Sequence, residues 1–255
     1  MNIALISAVL PVALLLFFIY RKDKYQPEPI GKLLLTFFVG CLSVIPAGLM
    51  ESVLMPLAPD AESFPVLNGL FDGFCVAGFS EELCKLLLLM LVIWRSPHFD
   101  EYFDGIVYAA YLSLGFACVE NIGYVMQGSD QMTTALMRGV LAVPAHFLFA
   151  VTMGYYLSLA KFDPAGRNKH LLHALLYPVL LHGTYDALLM ISSNLGGSDS
   201  LASTGLVVVL FILFIVFDIK MWRWGLKRIK RLQERSQEQD FDRQHPLAGF
   251  KWDDF

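Results

Sequence analysis

The stretch Val66–Trp94 reads VLNGLFDGFCVAGFSEELCKLLLLMLVIW, and it holds the cluster Glu81-Glu82-Leu83-Cys84-Lys85 inside a largely apolar run. A run of this length can cross a bilayer as a helix, which needs about 20 residues. A charged side chain near the bilayer centre costs about 3 kcal/mol on insertion scales. Two carboxyls and an ammonium within five positions therefore need partners, a wet cavity or altered protonation. The cluster predicts a polar site inside the membrane.

The composition of the whole chain indicates a polytopic membrane protein. Of its 255 residues, 56% are hydrophobic and 16% are charged, whereas soluble domains carry about 25% charged residues. We expect an all-α transmembrane bundle of about seven spans. The apolar runs are Ile3–Tyr20, Gly31–Met55, Val66–Trp94, Asp104–Met126, Thr134–Ala160, His170–Ser193 and Leu201–Met221.

Charge placement predicts the orientation. Lysine and arginine follow the first, third, fifth and last runs, whereas the second, fourth and sixth connections carry only acidic charges such as Asp60, Asp130 and Asp199. Basic loops stay in the cytoplasm, so we expect the N-terminus outside and the C-terminus inside. Residues 1–221 are then the transmembrane domain and 222–255 a basic, polar cytoplasmic tail. Membrane anchoring explains this tail better than binding of anionic lipid or nucleic acid, and no nucleic-acid partner is expected.

Polar residues on four predicted spans fall at similar depths, between the midplane and the outer third. Glu81 and Lys85 are four residues apart on one helix face, as are His182 and Asp186. Such convergence predicts a shared site rather than isolated hydrogen bonds between helices. The candidate site residues are Glu81, Glu82, Lys85, Glu120, Asn121, His146, His182 and Asp186. The charged or polar residues Glu51, Asp72, Arg138 and His173 match no motif, and we expect them to be interfacial or structural.

The chemistry available to these residues is acid–base. Carboxylates and histidines can move protons and activate water against an amide bond. The sequence has no His-Glu-x-x-His zinc motif and no Gly-x-Ser-x-Gly nucleophile motif. Two histidines and several glutamates could also bind a divalent ion, so metal dependence is left open here.

At these residues the chain resembles the PrsW family of intramembrane proteases, which belongs to a wider group with the CAAX prenyl proteases and the bacteriocin-processing membrane proteins. Four blocks carry the resemblance: Glu81–Lys85, Phe103–Asn121, His146 with Gly154, and His182–Asp186. The resemblance implies a multi-pass peptidase of the bacterial cell (inner) membrane, with residues 1–221 as its protease domain. It also implies a membrane-bound, single-pass substrate, with anti-sigma factors as the associated class.

We assign roles as hypotheses. Glu81 or Glu82 is the general base for the attacking water, and Lys85 orients or balances that pair, so that one glutamate pairs with Lys85 and the other faces the cavity. His146, His182 and Asn121 position the water and stabilise the oxyanion. Glu120 and Asp186 orient the histidines.

Two further possibilities follow from the same residues. If a divalent metal such as zinc takes part, His146, His182 and Glu82 are its candidate ligands; if glutamate alone activates the water, no cofactor is needed. The alternative functions are a proton-coupled transporter, which also needs buried carboxylates, and a non-enzymatic protein that binds a membrane partner. Inverted repeats, which would favour a transporter, are not seen in the sequence.

Overall fold

The chain folds into helices throughout the part that the structure, a computed structural model, describes: residues 3–196 and 200–245. Asp199, counted above among the acidic connections, lies outside that part. The α-helices are α1 (Ile3–Lys22), α2 (Ile30–Leu54), α3 (Pro65–Phe71), α4 (Ser80–Ile93), α5 (Asp104–Gln127), α6 (Gln131–Val140), α7 (Ala142–Phe162), α8 (Arg167–Leu195) and α9 (Leu201–Gln244). A short 3₁₀ turn, Met55–Leu57, extends α2, and a π-helical segment, Asp72–Phe79, joins α3 to α4.

The predicted all-α polytopic bundle is confirmed. Six helical stretches of the described chain are long and apolar enough to cross a membrane. They correspond to six of the seven predicted runs. The remaining run, Val66–Trp94, forms α3, the π-helical segment and α4 in succession.

The fifth predicted run is not one continuous helix. It begins as α6, breaks at Leu141 with φ −110° and ψ −62°, and continues as α7. Pro144 lies in the first turn of α7, where its missing N–H costs no hydrogen bond. The proline therefore marks the start of a new helix rather than a kink within one.

Helices α5 and α7 form the centre of the bundle. Residues 104–117 of α5 and 145–155 of α7 are buried without interruption, as expected for helices without a polar face. The two helices cross where a Cβ on Gly154 would lie 2.2 Å from the Gly105 carbonyl oxygen. Glycine is required at this position because any side chain would force the helices apart.

The outer helices expose apolar side chains. Large hydrophobic residues project from α1, α2 and α9, among them Leu14, Phe38 and Phe211 at 59–60% exposure. Exposed apolar area this extensive is unusual for a soluble monomer. These surfaces suit contact with lipid acyl chains.

Helix α9 continues past the end of the last hydrophobic run. It extends from the apolar stretch through the basic residues after Met221 without a break, as far as Gln244. Ile229, Leu232 and Ser236 on this extension are buried. Residues 246–255, including Lys251, lie outside the described residues.

The π-helical segment Asp72–Phe79 directly precedes the two glutamates of the cluster. It packs closely on α8, because a Cβ on Gly73 would lie 2.6 Å from the Ala187 backbone nitrogen. π-helical turns are rare and occur often at functional sites. Here the wider turn sets the rotation at which Glu81 and Glu82 enter the bundle.

Candidate active site

A cavity of about 480 Å³ lies between α2, the π-helical segment and helices α4 to α8. Its volume is within the range of small-molecule and peptide sites. Phe116, Phe149 and Tyr185 are the aromatic side chains that line it together with Tyr124. The acidic and basic side chains that line it are Glu51, Asp72, Glu81, Glu120, Arg138, His146, His182 and Asp186.

Lys85 is the hub of the polar groups behind the cavity. Its Nζ lies 2.8 Å from Glu81 Oε2 and 2.9 Å from Glu82 Oε1. The third contact of the ammonium is His146 Nδ1 at 3.2 Å, and Nζ also lies 3.9 Å from the centre of the Phe116 ring. A fully buried ammonium requires such compensation, and two carboxylates supply it.

His146 connects α7 to α5. Because Lys85 can only donate, His146 Nδ1 accepts from it, and His146 Nε2 then donates to Glu120 Oε2 at 2.8 Å. Glu120 also receives Arg138 Nη2 from α6 at 2.9 Å. These contacts fix both the tautomer and the orientation of the His146 ring.

His182 on α8 is held between two carboxylates. Its Nδ1 lies 3.0 Å from Glu82 Oε1, and its Nε2 lies 3.1 Å from Asp186 Oδ2. A carboxylate only accepts when ionised, so an imidazolium that donates from both nitrogens satisfies this arrangement. The Phe149 ring stacks on His182 at a centroid distance of 4.7 Å and holds the imidazole plane.

These residues form one charged network: Glu81, Glu82, Lys85, Glu120, Arg138, His146, His182 and Asp186. Its cations and anions alternate in space, so that every ionised member contacts an opposite charge. One buried atom is left over, since Glu82 Oε2 has no hydrogen-bond partner in the described part of the chain. The network is therefore nearly, but not fully, satisfied.

The structure brings seven of the eight sequence-predicted residues into this network, and Asn121 is the exception. Its Nδ2 donates to the Ala8 carbonyl at 2.8 Å, and its Oδ1 accepts from Arg138 Nε at 3.1 Å. The amide is fully buried and does not line the cavity. Asn121 thus contacts the network only through Arg138.

The two glutamates differ from the expected division of labour. We expected one to pair with Lys85 and the other to face the cavity, but both contact the ammonium. Glu81 also lines the cavity, whereas Glu82 is fully enclosed. The side chains converge because Lys85 is long enough to lie between positions three and four residues away.

Three cavity residues were missed as site candidates. Glu51, Asp72 and Arg138 all line the cavity, although they match no motif. A usable signal existed for Arg138, because an arginine within a membrane span needs a buried partner. His173 lies elsewhere and contacts the rings of Tyr156 and Tyr177.

Four residues of the charged network could also bind a metal ion. Ligand-capable atoms of Glu81, Glu82, His146 and His182 lie within 4.8 Å of one another, and all four residues are buried. Imidazole nitrogen together with carboxylate oxygen is the donor set of many catalytic zinc sites. The donor types therefore fit a divalent metal.

Comparison with known proteins gives a consistent result. Residues 28–217 match the model of a family described as PrsW family intramembrane metalloprotease. No solved structure matches the chain significantly.

Several curated relatives, each named Protease PrsW, cover most of the chain. The protein from Clostridioides difficile is 34% identical over 91% of this chain and 92% of its own length. The proteins from Bacillus subtilis and Geobacillus kaustophilus are 37% and 39% identical over 89% and 76% of this chain, and over 95% and 83% of their own lengths.

These similarities decide between the functions that the sequence left open. Transporters and partner-binding scaffolds can also bury carboxylates, so the network alone does not separate them from a peptidase. The family match and the relatives do, and with the apolar helices they place the protein in the bacterial inner membrane as a multi-pass hydrolase. The chain belongs to the PrsW family of intramembrane proteases.

Proposed function

We propose that this peptidase uses Glu81 as the general base that activates water against a peptide bond of a membrane-bound substrate. The observation that carries the proposal is that Glu81 lines the cavity while Glu82 is fully enclosed behind it. Glu81 takes a proton from the water molecule as the water oxygen attacks the peptide carbonyl carbon. When the C–N bond breaks, the same carboxyl returns the proton to the leaving nitrogen.

The other members of the network hold this base and stabilise charge. The Lys85 ammonium, which contacts both glutamates, holds Glu81 in position and balances its charge. His146 and His182 line the cavity, and the His182 imidazolium is a positive group beside it that can stabilise the oxyanion. Glu120 and Asp186 orient the two rings, and Asn121 acts through Arg138.

A divalent metal is compatible with this site. His146, His182 and Glu82 would hold it, and the free Glu82 Oε2 offers a donor atom. Zinc would supply a Lewis acid for the peptide carbonyl. Lys85 contacts three of the four residues in the donor set, so its ammonium and an ion compete for the same donors.

The proposed substrate is a single-pass membrane protein, and an anti-sigma factor is the class that the resemblance indicates. With the N-terminus outside and the tail 222–255 in the cytoplasm, the cavity opens in the outer half of the membrane. This orientation is supported by the basic residues around α9 and the acidic second and fourth connections.

The test is cleavage of a single-pass substrate by the purified protein in detergent. We expect Glu81→Gln to reduce the rate by about 10²–10⁴-fold. For Glu82→Gln, which only positions Lys85 and His182, we expect a loss of about 10–100-fold. The matched control is Glu234→Gln, an exposed glutamate on the extension of α9, which should cleave at the wild-type rate.

Each arm has an outcome against the proposal. Wild-type cleavage by a folded Glu81→Gln variant would remove Glu81 as the base, and a greater loss in Glu82→Gln would transfer the role to Glu82. A chelator added to the wild type decides the metal question, because a metal-dependent enzyme loses activity and recovers it on adding zinc.

A further inference from the structure

A second group of buried carboxylates lies at the opposite end of α5 from the cavity. We call Asp23, Glu28, Glu101 and Asp104 the acid cluster. Asp23 follows α1, Glu28 precedes α2, and Glu101 and Asp104 lie at the start of α5. All four are at most 5% exposed. None of them contributes to the cavity, so the peptidase mechanism does not account for them.

Part of the acid cluster is used to hold the local backbone. Asp104 Oδ2 accepts from the Asp100 and Glu101 amides at 2.9 and 2.7 Å. Asp23 Oδ2 accepts from the Glu28 amide at 2.9 Å, and the Tyr108 hydroxyl donates to Glu28 Oε2. These bonds occupy one oxygen each of Asp104, Asp23 and Glu28.

Four other oxygens of the acid cluster are buried without hydrogen-bond partners in the described part of the chain. Among residues 3–196 and 200–245, nothing donates to Asp23 Oδ1, to Asp104 Oδ1 or to either oxygen of Glu101. Ligand-capable oxygens of Asp23, Glu101 and Asp104 lie within 4.8 Å of one another. Glu101 is only 1% exposed, so its whole carboxylate is buried, unpartnered and close to two others.

No cation of the described chain forms an ion pair with the acid cluster. Within the described residues, no lysine, arginine or histidine nitrogen lies within 4.0 Å of an acid-cluster carboxylate; the nearest ion pair joins Arg243 to Asp100 at 3.5 Å. Burial raises the pKa of Asp23 to about 6, of Glu28 to about 7 and of Glu101 to about 8. Unpaired buried charges are costly, so such groups are normally paired or bind a metal.

We propose that Asp23, Glu101 and Asp104, with Glu28 beside them, bind a hard divalent cation, either Ca²⁺ or Mg²⁺. The available donors are all oxygens, which these cations prefer. The cluster has no histidine or cysteine, so zinc is a poor fit. The ion joins the end of α1 to the start of α5 and acts on stability rather than on the peptide bond.

The experiment is thermal unfolding of the full-length protein in detergent after treatment with chelator, with CaCl₂ or MgCl₂ added back separately. We expect the wild-type unfolding temperature to rise with at least one of the two salts. We expect Glu101→Gln to weaken cation binding by more than about tenfold, since changing even the partners of metal ligands costs 10–100-fold. Glu62→Gln, an exposed glutamate of the loop before α3, is the matched control and should respond as the wild type does.

Two further measurements keep the result decisive. Equilibrium dialysis of the wild type should find one bound cation per chain. This measurement does not depend on the folding of any variant. In Glu82→Gln the response to the cation should persist, and this separates the acid cluster from the donors at the cavity. The proposal is overturned if neither cation changes the unfolding temperature of the wild type. It is also overturned if the cation raises the unfolding temperature of Glu101→Gln as much as that of the wild type.

Discussion

Buried carboxylates lie at both ends of α5, but the two groups differ in whether positively charged side chains contact them. Around Glu120 each carboxylate of the charged network contacts Lys85, Arg138 or a histidine. Around Asp104, about 24 Å away along the helix axis, the hydrogen bonds that the acid cluster accepts within the described residues come from backbone amides and a tyrosine hydroxyl. A network with its own cations can leave carboxylates facing a cavity, whereas a group without them must recruit a cation or take up protons.

The largest expected effect is on the cleavage rate of Glu81→Gln, and it tests whether Glu81 acts as the base or only balances the charge of Lys85. Glu81→Gln keeps the side-chain shape and one acceptor for Lys85 but removes the base. We therefore expect the cleavage rate to fall by about 10²–10⁴-fold while the unfolding temperature stays near that of the wild type. A variant that loses stability and activity in parallel would show that Glu81 has a mainly structural role.

The next largest effect is on the unfolding free energy of Lys85→Met, and it tests whether Lys85 stabilises the buried carboxylates of the network. Lys85→Met leaves Glu81 and Glu82 buried without their shared cation, and we expect a loss of about 3–5 kcal/mol in unfolding free energy. Reversible unfolding in mixed detergent measures this change. The double variant Lys85→Met/Glu82→Gln should recover part of it, and no recovery would contradict the pairing.

A smaller effect is expected for the group that orients His182. Asp186→Asn keeps the side-chain shape but weakens the contact to His182 Nε2. We expect kcat to fall by about 10–100-fold with little change in KM, measured by cleavage of the single-pass substrate. Asp242→Asn, exposed on α9, is the control, and a change confined to KM would argue for a substrate-binding role instead.

The smallest effect should have the opposite sign and belongs to the acid cluster. In chelator, Glu101→Gln removes a buried carboxylate that forms no ion pair with any described residue, so we expect the protein to be stabilised by about 1 kcal/mol or less. The same unfolding assay compares it with Lys85→Met. A clear destabilisation in chelator would mean that the cluster is already satisfied without a cation.

Much of the fold could be predicted from hydropathy, because each apolar run became helical. The cavity was predictable in part for a similar reason, since fixed spacing puts Glu81 with Lys85 and His182 with Asp186 on one face of their helices. Local periodicity carries this information without knowledge of the neighbours.

The sequence did not predict how each helix is rotated about its axis or which residues of other helices its polar side chains contact. Asn121 follows Glu120 directly, yet its side chain points to α1 and binds the Ala8 carbonyl. The position of α6 brings Arg138 to Glu120, and although Pro144 marks the start of α7, it does not fix the direction in which α6 approaches the break at Leu141. Both depend on how helices distant in sequence pack together.

The long α9 has a practical consequence for anyone preparing a shortened protein. Hydropathy suggests cutting after Met221, yet the Ser236 hydroxyl accepts from the Phe103 amide at 2.9 Å and Gln239 Oε1 from the Tyr102 amide at 3.0 Å. Gln233 also donates to the Lys22 carbonyl at 2.6 Å. A cut at 221 would remove these partners from the turn that leads into α5 and from the end of α1, so a tag or a stop codon belongs beyond Gln244.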